Sequence, residues 1–169
     1  MMNVKLKGSP VKLVGDEVKV GDFAPSVKLK GNDLGYVLVG GKKDKIQVLN
    51  VVPSLDTPTC QMQTKRFNQE AGNLSNVEVF VISMDLPFAQ GRFCSVEGIK
   101  NVRALSDYRA KEFGEKYGVL IDDSPLSGLL ARAVFVIDES GKVIYREICE
   151  EITNEPNYKD ALDAIKNRA

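Results

Sequence analysis

The sequence predicts an α/β fold in which a largely parallel sheet lies between helical layers. Three observations carry that expectation. Two β-branched runs, Ile46–Val52 and Val77–Ser83, read as buried central strands. Each is followed by a stretch of helical period, and strands alternating with helices imply parallel neighbours. A final pair of apolar runs flanks Asp138-Glu139-Ser140-Gly141, a hairpin signal that adds antiparallel strands.

The elements follow in order. Val4–Lys7 and Val11–Val14, joined by Gly8-Ser9-Pro10, predict an N-terminal hairpin, with Gly15-Asp16 starting the next turn. Gly21–Pro25 is an irregular connector, Ser26–Lys30 a short edge strand, and Lys42–Lys45 a charged, solvated turn. Pro53 closes the first central strand. From Cys60 to Asn73 the pattern is helical, with Met62, Phe67 and Ala71 as inward residues and Gly72 near the stop. Phe88–Glu97 predicts a helix ending at Gly98, Val102–Leu105 a short strand, and Ala110–Tyr117 a short helix. After an irregular stretch, Arg132–Ile137 and Lys142–Ile148 form the late hairpin, and Tyr158–Lys166 the closing helix. This order fits a three-layer sandwich of thioredoxin type with an N-terminal hairpin extension over residues 1–20. No repeat, low-complexity tract or linker interrupts it, so one domain spanning residues 1–169 is expected. A chain of this length buries about 70% of its unfolded surface and needs no staple to fold.

Composition removes several function classes. Lys+Arg and Asp+Glu both number 23, so there is no electrostatic case for nucleic acid or an anionic membrane surface. No apolar run approaches the ~20 residues that span a bilayer. The first twenty residues alternate apolar with charged positions and lack a signal-peptide core, so the cytoplasm is the expected compartment. Three cysteines, an odd count, do not suggest a secreted disulfide framework. Histidine is absent, which argues against a Cys-His protease, the common zinc sites and a histidine base. No metal and no cofactor is expected. An activated cysteine here must rely on a cation or a helix terminus.

One segment concentrates those requirements. Thr57-Pro58 is a strong helix start, with Thr as N-cap and Pro at the first helical position. Cys60 is then the third helical residue, among unpaired N–H groups at the positive end of the helix dipole. Those donors stabilise a thiolate and not a thiol, and the thiolate is the nucleophile. The Thr57 hydroxyl is expected to accept from the Cys60 N–H while its own proton points at the sulfur. A small buried hydrophobe is the ordinary fate of a free cysteine. The strand-to-helix switch, where open α/β sheets bind ligands, favours the reactive reading.

Pro53…Thr57…Cys60 forms Pro-x-x-x-Thr-x-x-Cys, which resembles the active-site motif of peroxiredoxins. Ser83-Met84-Asp85-Leu86-Pro87-Phe88-Ala89-Gln90-Gly91-Arg92-Phe93-Cys94 resembles the signature of their bacterial thiol peroxidase subfamily, of atypical 2-Cys type. The likeness runs from about Gly21 to the final helix, Glu155-Pro156-Asn157-Tyr158 included. It implies a thioredoxin-like fold, hydroperoxide substrates, a peroxidatic Cys60, a resolving Cys94 joined to it in an intrachain disulfide, a homodimer, and recycling by thioredoxin. Carried over by position, Thr57 binds the peroxide, Pro53 shields the pocket, and Arg132 holds the thiolate and polarises the departing oxygen. A guanidinium suits that work because it stays charged and presents several fixed donors. Cys149 matches no motif and reads as a structural or incidental thiol.

Placed on separate helices, Cys60 and Cys94 are not expected to lie within disulfide reach, about 4.4–6.8 Å between Cα atoms. Packed helix axes stand ~8–10 Å apart, so both segments are expected to unwind before the bond forms. Gly91, a poor helix former, is expected to ease that step. Three alternatives remain. A thioredoxin-type dithiol oxidoreductase wants a second cysteine one turn from the first, where this chain has Thr57. A non-enzymatic peroxide sensor uses the same cysteine but passes its oxidation to a partner protein, and turnover separates the two. A pure interaction module leaves Cys60, Thr57 and Arg132 unexplained.

Overall fold

The computed structural model describes residues 4–71 and 74–167. It opens with a hairpin of β1 (Val4–Leu6) and β2 (Ser9–Val11), in which Val4 pairs with Val11. The turn is shorter than expected: Lys7 and Gly8 both have positive φ, 50° and 83°, as in two-residue hairpin turns whose twist suits the strands. Ser9 and Pro10 consequently belong to the strand. The predicted second arm, Val11–Val14, also divides. The Lys12 N–H donates to Asp123 Oδ1 at 2.7 Å, and β3 (Leu13–Val14) pairs with Leu120–Ile121 instead of with β1.

The main sheet has seven strands. In chain order they are β4 (Val27–Lys30), β5 (Tyr36–Val39), β6 (Ile46–Val51), β7 (Val77–Ser83), β8 (Val102–Ser106), then, after the small β9 (Leu120–Ile121), β10 (Ala133–Ile137) and β11 (Val143–Ile148). Their spatial order is β11-β10-β6-β7-β8-β4-β5. The centre, β6-β7-β8, is parallel, and every flanking pair is antiparallel. The helices are α1 (Pro58–Glu70), α2 (Pro87–Val96), α3 (Glu112–Tyr117) and α4 (Tyr158–Lys166). The expected edge strand is interior, because β4 lies between β8 and β5. The true edge is β5, which the sequence reading lacks; a turn closed by the Gly31 N–H on the Gly35 carbonyl at 2.9 Å folds it back onto β4.

The central strands are apolar on both faces, as buried parallel strands must be. Leu49, Val51, Phe80, Ile82, Phe135 and Ile137 point to one side, where Phe113 and Tyr117 of α3 and Val4 and Val11 of the hairpin cover them. Val48, Val79, Val81, Val134 and Val136 point to the other, against Cys60 and Phe67 of α1, Phe93 of α2, and Ala161, Leu162 and Ile165 of α4. Phe67 meets Tyr158 edge-on at 5.3 Å, locking α1 to α4. This is the three-layer arrangement that the element order implies.

Along α1 the inward stripe is Cys60, Gln63, Thr64 and Phe67. Met62, expected inside, is 54% exposed; residues three, four and seven after Cys60 share its face, and the second does not. Ala71 is buried as expected. The expected stop at Gly72 and Asn73 lies outside the described residues. Gly98, at φ +66°, follows α2 where the sequence places its end. No helix among the described residues is long and apolar enough to cross a membrane.

Candidate active site

Strands β6 and β7 run parallel, so the segments leaving their C-terminal ends lie side by side. Val52–Thr57 leaves β6 and enters α1 with Thr57 as N-cap, φ −115° and ψ 146°, and Pro58 in the first turn. Proline sacrifices no hydrogen bond there, since the first-turn N–H groups have no intrahelical partner. Cys60 follows two residues later, in the same turn.

The Cys60 Sγ accepts a hydrogen bond from Arg132 Nη1 at 3.3 Å. Arg132 directly precedes β10 and shares the parity of Val134 and Val136, which puts its side chain on the α1 face. It is 3% exposed. Its Nε donates to the Ile152 carbonyl at 2.6 Å, and Nη1 also donates to Gln63 Oε1 at 2.9 Å. None of these partners is a carboxylate. A buried cation without a counter-ion is costly, and a neighbouring anion relieves that cost. The sulfur is the group in its reach that can become one.

Behind the sulfur runs a line of buried polar side chains. Gln63 Nε2 donates to Asn50 Oδ1, Asn50 Nδ2 donates to Thr64 Oγ1 at 3.3 Å, and the Thr64 hydroxyl donates to the Cys60 carbonyl at 2.9 Å. These three residues escaped the sequence reading, although two signals were available. Asn50 interrupts an otherwise apolar central strand, and Gln63 and Thr64 stand one helical turn beyond Cys60.

Thr57 departs from expectation. Its hydroxyl donates to the Ser54 carbonyl at 2.9 Å and makes no capping bond to the helix. Pro53 is buried in the same loop. Cys60 itself is 0% exposed, so the ordinary reading of a buried cysteine describes its location correctly.

Cys94 sits near the end of α2, half-buried against the cluster that contains Cys60. Burial pushes its thiol up from the ordinary value. Near it in the chain, Phe93 and Ile99 are buried, while Phe88 is 70% exposed. Gln90, one turn earlier, anchors α2 by donating to Ser83 Oγ at 3.0 Å and to the Leu105 carbonyl at 2.7 Å, while its Oε1 finds no hydrogen-bond partner. Cys149 is buried at the end of β11, its thiol pushed up to about 12 by burial and by the Glu147 carboxylate. All three cysteines are free thiols.

The Redoxin family matches residues 19–162. A thiol peroxidase of Aquifex aeolicus is 53% identical over 163 residues, covering 96% of both chains. One from Campylobacter jejuni is 55% identical over 165 residues, covering 98% of this chain and 93% of its own. The crystal structure of a peroxiredoxin-like protein from Aquifex aeolicus superposes with a TM-score of 0.95 at 52% identity, covering 98% of this chain and 96% of that one. Likeness of that depth over nearly the whole chain leaves one reading: the chain belongs to the Redoxin family, among its peroxiredoxin-type thiol peroxidases.

Proposed function

We propose that this peroxidase works through Cys60 as the attacking thiolate and Cys94 as the resolving thiol. The observation that carries the reading is the 3.3 Å contact between the Cys60 sulfur and a buried guanidinium that has no carboxylate among its hydrogen-bond partners. In the first step the thiolate attacks the terminal oxygen of a hydroperoxide. An S–O bond forms, the O–O bond breaks, and the departing alkoxide or hydroxide takes up a proton to leave as alcohol or water. Cys60 is left as a sulfenic acid. Arg132, fixed in advance by Gln63 and Ile152, offsets charge on sulfur before the step and on the leaving oxygen during it. Thr57 contributes by turning its hydroxyl from Ser54 to the peroxide, and Pro53 covers the pocket.

In the second step the Cys94 sulfur attacks the Cys60 sulfur and expels water, forming an intrachain disulfide. A thioredoxin-type dithiol then reduces it by exchange through a mixed disulfide. Two electrons from the dithiol thus reduce one peroxide per cycle, and no cofactor is needed. The sensor alternative is not favoured, since the relatives at about half identity are peroxidases by name. The test is consumption of hydrogen peroxide and of an organic hydroperoxide with thioredoxin and its reductase as donor. Many equivalents consumed per chain support the reading; a single equivalent returns it to the sensor.

Three coarser assignments accompany the mechanism. The chain acts as one domain, supported by Val4 and Val11 of the hairpin packing in the same cluster as Phe80 and Phe135. It pairs as a homodimer, in keeping with its family and with Phe88 and Val96 of α2, 70% and 75% exposed. Sedimentation at micromolar concentration showing only an 18.6 kDa species rejects the dimer. Its compartment is the cytoplasm, where three unpaired thiols survive.

A further inference from the structure

The segment that leads into the Cys60 helix and the start of the helix that carries Cys94 are fastened to each other by one side chain. Asp85 follows β7 and precedes Pro87, the first residue of α2. Its Oδ1 accepts from Ser54 Oγ at 2.8 Å, and its Oδ2 accepts from the Leu55 N–H and from Ser83 Oγ, each at 2.7 Å. Its carbonyl accepts from Ser106 Oγ on β8. Ser54 in turn receives Thr57 twice on its own carbonyl, from the hydroxyl at 2.9 Å and the N–H at 3.3 Å. Ser83 Oγ receives Gln90 Nε2 from within α2 at 3.0 Å. One half-buried carboxylate therefore joins the loop before α1, the end of β7 and, through Ser83, the body of α2. Charge-assisted bonds to a carboxylate are the stronger kind, and three converge here.

We propose that Asp85 is a positioning residue that latches the Cys60 loop to the Cys94 helix, and that its release decides what becomes of oxidised Cys60. This rests on the two-cysteine cycle proposed above. While the latch is closed, the sulfenic acid stays beside Arg132 and Thr57, where a second hydroperoxide can meet it. That encounter adds a second oxygen to sulfur, releases an alcohol or water, and leaves a sulfinic acid that thioredoxin does not reduce. When the latch opens, Ser54–Thr57 and the start of α2 come free together. The Cys94 sulfur then displaces water and forms the disulfide. Two segments that must both unwind are in this way made to unwind at once.

The test measures a ratio, sulfinic Cys60 to Cys60–Cys94 disulfide, by mass spectrometry over a range of hydrogen peroxide concentrations. Asp85→Ala removes the acceptor of all three bonds and breaks the latch. The ratio is expected to fall about tenfold, the equivalent of ~1.4 kcal/mol. Ser54→Ala, which removes only the Oδ1 arm, should lower it by a smaller factor and serves if Asp85→Ala fails to fold. As the control, Val143→Ala on β11, away from both segments, should lower the melting temperature and leave the ratio unchanged. An unchanged or raised ratio in both folded variants, with the wild type still forming the disulfide, overturns the latch alone. A wild type that forms no Cys60–Cys94 disulfide overturns the two-cysteine cycle and the latch with it.

Discussion

Cys60 and Cys149 are both buried and both next to Arg132, yet they meet opposite ends of it. Cys60 lies at the guanidinium, with Nη1 at 3.3 Å from its sulfur. Cys149 lies at the backbone, its N–H donating to the Arg132 carbonyl at 3.0 Å while its sulfur faces Glu147 Oε2 at 4.0 Å. The first is offered a cation and the turn of a helix that favours anions. The second is offered a carboxylate, and its thiol is pushed up to about 12, first by burial and then by that charge. Depth in the core is nearly the same for the two, and what sets them apart is the group beside each sulfur: a guanidinium for Cys60, a carboxylate for Cys149.

The hardest blow to this contrast is Cys60→Ser, which should reduce thioredoxin-dependent peroxide consumption to the background rate. Substantial turnover without the Cys60 thiol moves the chemistry elsewhere in the chain. Next is Arg132→Met. Removing a preorganised electrostatic donor costs about 100-fold or more, and oxidation of Cys60 followed by stopped flow should slow by that order with the fold retained. An unchanged rate means the guanidinium holds structure and not charge. Gly91→Ala tests the other half of the cycle. A Cβ there meets Asn32 at 3.7 Å, ordinary contact, so the substitution fits. It should stabilise α2 by about 1 kcal/mol and slow disulfide formation roughly fivefold without slowing the first oxidation. The smallest effect belongs to Cys149→Ser, expected to leave turnover within about twofold. Native Cys149 should also resist iodoacetamide at pH 8, since its thiolate accumulates only as pH approaches about 12. Rapid labelling of Cys149 in the folded chain contradicts the contrast at its second pole.

How much of this was legible in the residues depended on whether the cause was local. Thr57-Pro58-Thr59-Cys60 announces its helix start because capping is decided within a few residues, and β7 and α4 have the predicted bounds for the same reason. The Thr57 hydroxyl was harder: where it points is set by the turn that Ser54 and Thr57 close, which the Thr-Pro signal does not describe. Arg132 came from likeness to a family, since no spacing ties it to a cysteine 72 residues earlier. The change of partner at Lys12 depends on Asp122 and Asp123, far along the chain. Gln63 and Thr64 were hidden because Met62, taken as the inward residue, shifted the helix face assigned to the core.

The fastening of Arg132 has a consequence for the order in which the protein is made. Its Nε is held by the Ile152 carbonyl, and the Ile152 N–H is held by the Lys5 carbonyl of β1. The charged centre is thus assembled from both ends of the chain at once. During synthesis at ~5–20 residues per second, the 72 residues separating Cys60 from Arg132 take roughly 4–14 s to appear. For that interval Cys60 stands on a ribosome-bound chain without its cation, and the Ile152 carbonyl and Lys5 contact that fasten Arg132 follow later still.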